Sequence, residues 1–219
     1  IYRNSRYGEG HPLSIERVTP VMDLTFLLGW ADSQVFVDSP CATPEMISRY
    51  HDEDYVAAVQ HAEKYQSVPE YFRDRYNLGT HGNPIFPEVY TRPATAAGAS
   101  ILAGKMLSEQ TEGIIYSIGG GTHHAQKAKA SGFCFFNDIV LGILEMLDNG
   151  IERVLYVDLD AHHGDGVQDA FVDDDRVFTI SIHEEGRWPR TGDLTDRSSG
   201  AARNLPVPKG FNDSELNEI

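Results

Sequence analysis

The spacing of apolar positions changes near residue 113. Upstream, most apolar residues recur with helical spacing. Residues 1–13, ending at His11-Pro12, read as an irregular lead-in. Helical patterning then runs to about Trp30, with Pro20 either starting that helix or kinking it. A short run at Gln34–Val37 suits a strand. Thr43-Pro44-Glu45 reads as an N-cap with an N1 proline, opening a short helix. From Asp52 to Lys64, Tyr55, Val56, Val59 and Ala62 line one helical face. Residues 65–90 carry Pro69, Gly79, Gly82, Pro84 and Pro87, which predicts a long ordered loop. Thr91 to Leu107, dense in Ala and Gly, predicts a helix suited to close packing.

Downstream the pattern becomes regular. It predicts a strand at Ile114–Ile118, a glycine-rich turn and a helix over Asn137–Asp148. A strand at Arg153–Asp158, a short helix from Asp165 to Val172 and a strand at Val177–Ser181 follow. Residues 183–202 form a polar loop containing Trp188, and residues 203–219 read as one more strand and the start of a helix. Strands alternating with helices at this spacing predict an α/β fold with a parallel, doubly wound sheet and helices on both faces. No repeat or linker interrupts the chain, so residues 1–219 are expected to be one domain.

Composition narrows the function classes. A chain of 219 residues, 41% hydrophobic and 23% charged, is long enough for a sizeable core. A formal net charge of −15 argues against a nucleic-acid surface and favours cationic small molecules or peptides as partners. Cys41 and Cys134 are too few for a disulfide framework, which points to a reducing, cytoplasmic compartment. No apolar run reaches the length of a membrane span. The absence of basic import tracts suggests a bacterial source.

Two clusters carry the chemistry. In Val154-Leu155-Tyr156-Val157-Asp158-Leu159-Asp160-Ala161-His162-His163-Gly164-Asp165-Gly166, a buried strand runs into three acids and two histidines. Alternation along the strand is expected to point Asp158, Asp160 and His162 the same way. Any one of these acids could simply cap the next helix. The whole cluster at a buried strand end points instead to a divalent ion such as zinc. The Asp-x-Asp-x-His run has His163 where a calcium loop needs glycine, which excludes that ion. The second cluster, Gly119-Gly120-Gly121-Thr122-His123-His124, lacks the third glycine and the lysine of phosphate-binding loops. Its adjacent histidines read as acid–base groups, with Asp158 and Asp165 as the carboxylates available to back their rings.

Gly120-Gly121-Thr122-His123-His124-Ala125, Ser131-Gly132-Phe133-Cys134-Phe135-Phe136-Asn137-Asp138 and the Tyr156–Gly166 run together resemble the zinc-dependent histone deacetylase family. That family includes acetoin-utilization and acetylpolyamine amidohydrolases and has the arginase–deacetylase fold, a three-layer sandwich. The similarity is tight from about Gly113 to Gly192 and looser upstream, at His11-Pro12, Arg17 and His51. It implies that Asp160 and His162 are two of three zinc ligands. It implies that His123 and His124 are the catalytic pair, with His124 the principal base and Asp158 and Asp165 behind His123 and His124 respectively. Gly132 and Phe133 match one wall of the substrate channel, Trp188 the opposite wall, and Arg17 an inner-channel arginine. Asp158, Ser181 and Ile182 fall where the family holds a monovalent cation such as K+. The family's third zinc ligand and its oxyanion-stabilising tyrosine have no counterpart here, so the expectation is a deacetylase domain cut before its carboxyl-terminal part and a poor catalyst as it stands.

The activity so implied is zinc-dependent hydrolysis of an acetylated lysine or polyamine to free amine and acetate. A dimanganese ureohydrolase, arginase-like, is the alternative within the fold, but its extra carboxylate would have to replace Gly164. A non-catalytic scaffold that binds acetylated ligands is the second alternative.

Overall fold

The computed structural model describes residues 1–3, 5–7, 17–31 and 35–217. His11-Pro12 and Gln34 lie outside them. The chain forms two compact units, Ile1–Asn149 and Gly150–Ile219.

Helices build the first unit. Helix α1 (Val18–Leu27) takes Pro20 into its first turn, where a missing N–H costs nothing. Helix α2 (Pro44–Ile47) starts at Thr43, whose side chain accepts the Met46 N–H at 3.3 Å. Helix α3 (Glu53–Tyr65) buries Tyr55, Val56, Ala58, Val59 and Ala62, the face marked by the apolar spacing. Helix α4 (Glu70–Tyr76) corrects the expectation of an unbroken loop over residues 65–90. Pro69 caps its start and Asn77, in the left-handed region, ends it.

Helix α5 (Thr91–Ser108) opens on the Glu63 carboxylate, which accepts the Tyr90 and Thr91 N–H groups at 2.8 and 2.7 Å. Helix α6 (Asp138–Asp148) runs against it. A Cβ on Gly104 would stand 2.6 Å from the Gly142 carbonyl oxygen, so only glycine permits that approach. Ile47, Tyr55, Phe86, Phe135, Phe136 and Leu141 fill the core between these elements, and the Tyr55 hydroxyl donates to the Phe135 carbonyl at 2.6 Å.

The strand expected at Ile114–Ile118 does not form. Ile114 and Tyr116 are 98% and 75% exposed, and the segment joins no ladder. Val35–Val37 are likewise exposed and outside any strand.

The second unit is a three-stranded parallel sheet in the order β1 (Val154–Asp158), β2 (Val177–Glu184), β3 (Ala202–Val207). Asp158 pairs with Ser181, and Ser181 with Asn204. Alternation along β2 buries Val177, Thr179, Ser181 and His183 on one face. Helix α7 (Asp165–Ala170) links β1 to β2 and starts on Gly164. Helix α8 (Asp213–Leu216) follows β3, closed by a capping box between Asn212 and Glu215. Strand and helix in residues 203–219 therefore fall where the apolar pattern puts them.

Candidate active site

Strand β1 ends at Asp158, and the chain then turns rather than continuing extended through Asp160 and His162. This corrects the expectation that all three side chains share a strand face. The Asp158 side chain is buried, accepting the Tyr156 hydroxyl at 2.6 Å and the Asp160 N–H at 3.0 Å. Asp160 and His162 stay half-exposed and meet because of that turn. One Asp160 carboxylate oxygen accepts both the His162 N–H and the His162 ring Nδ1–H, each at 2.8 Å. The Trp188 indole lies edge-on to the His162 ring, with centroids 6.1 Å apart.

This pair fits a zinc ion. Tetrahedral zinc with ligands at about 2.0–2.1 Å separates neighbouring donor atoms by about 3.3 Å, so replacing the shared proton with the ion opens the pair by only about half an ångström. Carboxylate oxygen and imidazole nitrogen are donors that zinc takes. Among the described residues no group of three or more His, Cys, Asp or Glu side chains is placed to share an ion.

In the first unit, His123 and His124 are buried with ring centroids 3.9 Å apart. Gly132 and Phe133 both take positive φ, +52° and +67°. For Phe133 that conformation is strained and must be held from outside. Its N–H donates to the Asn83 side-chain oxygen at 3.0 Å and to the Gly82 carbonyl at 3.1 Å, and Asn83 is itself buried. Arg17 stands exposed at the start of α1.

The model of the histone deacetylase domain matches residues 11–219. The chain belongs to the histone deacetylase family. It is 38% identical to histone deacetylase HDAC1 of Drosophila melanogaster, over 99% of this chain and 42% of that protein. Identity to human histone deacetylase 1 is 36%, over 99% of this chain and 46% of that protein. The chain thus spans less than half the length of these curated relatives. The crystal structure of an HDAC homolog from Aquifex aeolicus superposes with a TM-score of 0.90 at 36% identity, covering 99% of this chain and 60% of that one. That of an HDAC homolog complexed with SAHA gives 0.89 at 36% identity, over 98% and 59%. These likenesses establish the deacetylase fold for the chain. No helix among the described residues is long and apolar enough to cross a membrane.

The histone deacetylase motifs also recruit residues to which sequence reasoning gives no role. Asp138, buried at the start of α6, accepts the Gly121 N–H at 3.1 Å, the Thr122 N–H at 2.7 Å and the Ser100 hydroxyl at 2.6 Å. The Asn137 side chain donates to the Ala125 carbonyl at 3.0 Å while its oxygen caps α6. His51 accepts the Asn137 N–H at 2.9 Å through Nε2, and its Nδ1–H donates to the Lys127 carbonyl at 3.1 Å. Burial pulls the His51 pKa down to about 4, so it serves as a neutral strut. Tyr2 closes the other side of the turn. Its hydroxyl donates to the Gly119 carbonyl at 3.4 Å, and burial pushes its pKa up to about 12. An acid directly after an N-cap asparagine is the signal that marks Asp138.

Proposed function

We propose that this chain carries the metal-binding and acid–base groups of a deacetylase that hydrolyses an acetylated primary amine to free amine and acetate. The observation that carries the reading is the solvent-accessible Asp160–His162 pair, with donor atoms 2.8 Å apart beside an exposed tryptophan. A surface salt bridge would serve stability poorly there, whereas a divalent ion uses both donors.

Asp160 and His162 hold the ion. Zinc so held supplies Lewis-acid polarisation of an amide carbonyl and raises the acidity of water. His124 takes a proton from the attacking water and returns it to the departing amine nitrogen. His123 shares that work, and Asp158 and Asp165 set the charge and orientation of the two rings. The Gly132 carbonyl accepts the substrate amide N–H, and Phe133 and Trp188 sandwich the alkyl chain that leads to it. Arg17 lines the inner end of the channel. Asp158, Ser181 and Ile182 hold a monovalent cation, K+. With a net charge of −15, the chain favours basic acetyl-lysine peptides and acetylpolyamines over nucleic acid as partners.

The test is deacetylation of an acetyl-lysine peptide and of an acetylpolyamine by the zinc-loaded protein, with SAHA as inhibitor. Activity that chelation removes and that falls at least about a hundredfold in His124→Ala supports the reading. A protein that binds no divalent metal, and whose His124→Ala form deacetylates as before, refutes it.

A further inference from the structure

Two buried histidines in the second unit have no part in the chemistry just described, and both are aimed at the loop that carries Trp188. His163, next to His162, and His183, on β2, are each 3% exposed, with ring centroids 4.9 Å apart. His163 Nε2 faces the Gln168 side-chain oxygen at 3.1 Å, and that oxygen can only accept. The proton therefore sits on Nε2, and Nδ1 accepts the Thr191 hydroxyl at 2.8 Å. His183 repeats the arrangement. Its Nε2–H donates to the Gly192 carbonyl at 3.1 Å, and its Nδ1 accepts the Ser181 hydroxyl at 2.9 Å.

Further bonds fix these partners in turn. The Gln168 amide donates to Asp196 at 2.8 Å, and Asn204 donates to the Gln168 oxygen at 2.8 Å. The Ser181 hydroxyl lies 3.5 Å from the Gly164 N–H at the start of α7. Gly192 is pressed onto both rings. A Cβ there would lie 2.6 Å from His163 and 2.7 Å from His183, and its φ of +81° already demands glycine. Because all these residues belong to one compact unit, the network ties β2, β3 and α7 to the segment from Trp188 to Gly192.

We infer that His163 and His183 are positioning residues: an imidazole clamp that grips Thr191 and Gly192 and so holds Trp188 against His162 as a fixed channel wall. The role rests on the deacetylase reading. The clamp sets where the substrate's alkyl chain binds and leaves the proton transfers untouched. A wall that contacts the chain equally in ground state and transition state acts on KM and not on kcat. The alternative for two buried histidines is inert core packing. Their four side-chain hydrogen bonds, two of them directed at adjacent residues of one exposed loop, favour the clamp.

The test uses three variants in the full chain, each in a Trp30→Phe background that leaves Trp188 as its reporter tryptophan. Thr191→Val removes one hydroxyl at an exposed position and leaves the fold alone. His183→Ala removes the bond to Gly192. His183→Gln can still donate to that carbonyl. Acrylamide quenching of Trp188 is expected to rise about twofold in Thr191→Val and His183→Ala, and to return toward the parent value in His183→Gln. With zinc-loaded protein, KM for an acetyl-lysine peptide is expected to rise about threefold to tenfold in Thr191→Val while kcat stays within about twofold. If Trp188 quenching or KM is unchanged in Thr191→Val, the clamp is overturned. An equal loss of kcat and KM in His183→Ala that His183→Gln fails to rescue also overturns it, as damage to the fold. Where the chain, a poor catalyst as it stands, turns over too slowly to give a KM, the quenching series decides the clamp.

Discussion

Replacing Asp138 with alanine removes the acceptor on which the turn before His123 and His124 rests. Its carboxylate takes two backbone N–H groups, from Gly121 and Thr122, and the Ser100 hydroxyl, in a setting only 1% exposed. The hydroxyls can rotate elsewhere, and Thr122 already has the Phe136 carbonyl at 2.5 Å. The two amides cannot. Each hydrogen bond to a carboxylate contributes about 1.5–3 kcal/mol. Losing an acid from the first turn of α6 adds about 0.3–1 kcal/mol. The expected destabilisation is therefore about 3–7 kcal/mol, a large part of a typical domain stability of about 5–15 kcal/mol. Asp138→Asn keeps one carbonyl oxygen for the Thr122 amide and is expected to cost about 1–2 kcal/mol. Urea denaturation followed by circular dichroism measures both, and amide exchange at Gly121 and Thr122 localises the effect. A loss below about 1 kcal/mol in Asp138→Ala would show that the carboxylate is not what holds this turn.

His51 makes folding depend on pH. Its pKa drops from 6.5 in the unfolded chain to about 4 in the native state, so between those values only the unfolded chain takes up the proton. This contribution is fully present above pH 6.5 and is lost as pH falls toward 4, by about 3 kcal/mol in all. Denaturation midpoints at pH 7 and pH 4.5, compared with those of His51→Gln, check it: the variant should lose part of the slope. The buried His183, its pKa lowered first by burial and then by His163, contributes with the same sign. Gly104→Ala should lower the melting temperature despite the better helix propensity of alanine, because its Cβ would fall 2.6 Å from the Gly142 carbonyl. A thermal melt that rises instead would mean α5 and α6 separate freely.

Much of the fold is legible in the sequence, and the exceptions have physical causes. The runs at Val154–Asp158 and Val177–Glu184 combine β-branched residues with flanking turns, and both are strands. Ile114–Ile118 has the same composition yet stays outside any ladder, because composition reports what a strand favours and not whether a neighbour is there to pair. Helix α4 hides among prolines and aromatics, but Pro69 before Glu70 is helix-start punctuation, not a loop signal.

The site shows the same division. Tandem histidines and the Asp-x-Asp-x-His run stand out in the sequence as the groups to which the proposed chemistry is assigned. Strand alternation misleads about Asp160 and His162, which a turn beyond Asp158 brings together. The groups that hold the site, Asp138, His51, Asn83 and His183, act through single long-range hydrogen bonds that leave no periodic trace.

The central claim is that Asp160 and His162 hold zinc. Metal analysis of protein dialysed against limiting zinc tests it directly. Because the chain supplies two of the three ligands, a fraction of one zinc per chain is the predicted result for the parent, with Asp160→Asn and His162→Ala each keeping less than about a tenth of that amount. Undiminished zinc in either variant would contradict it.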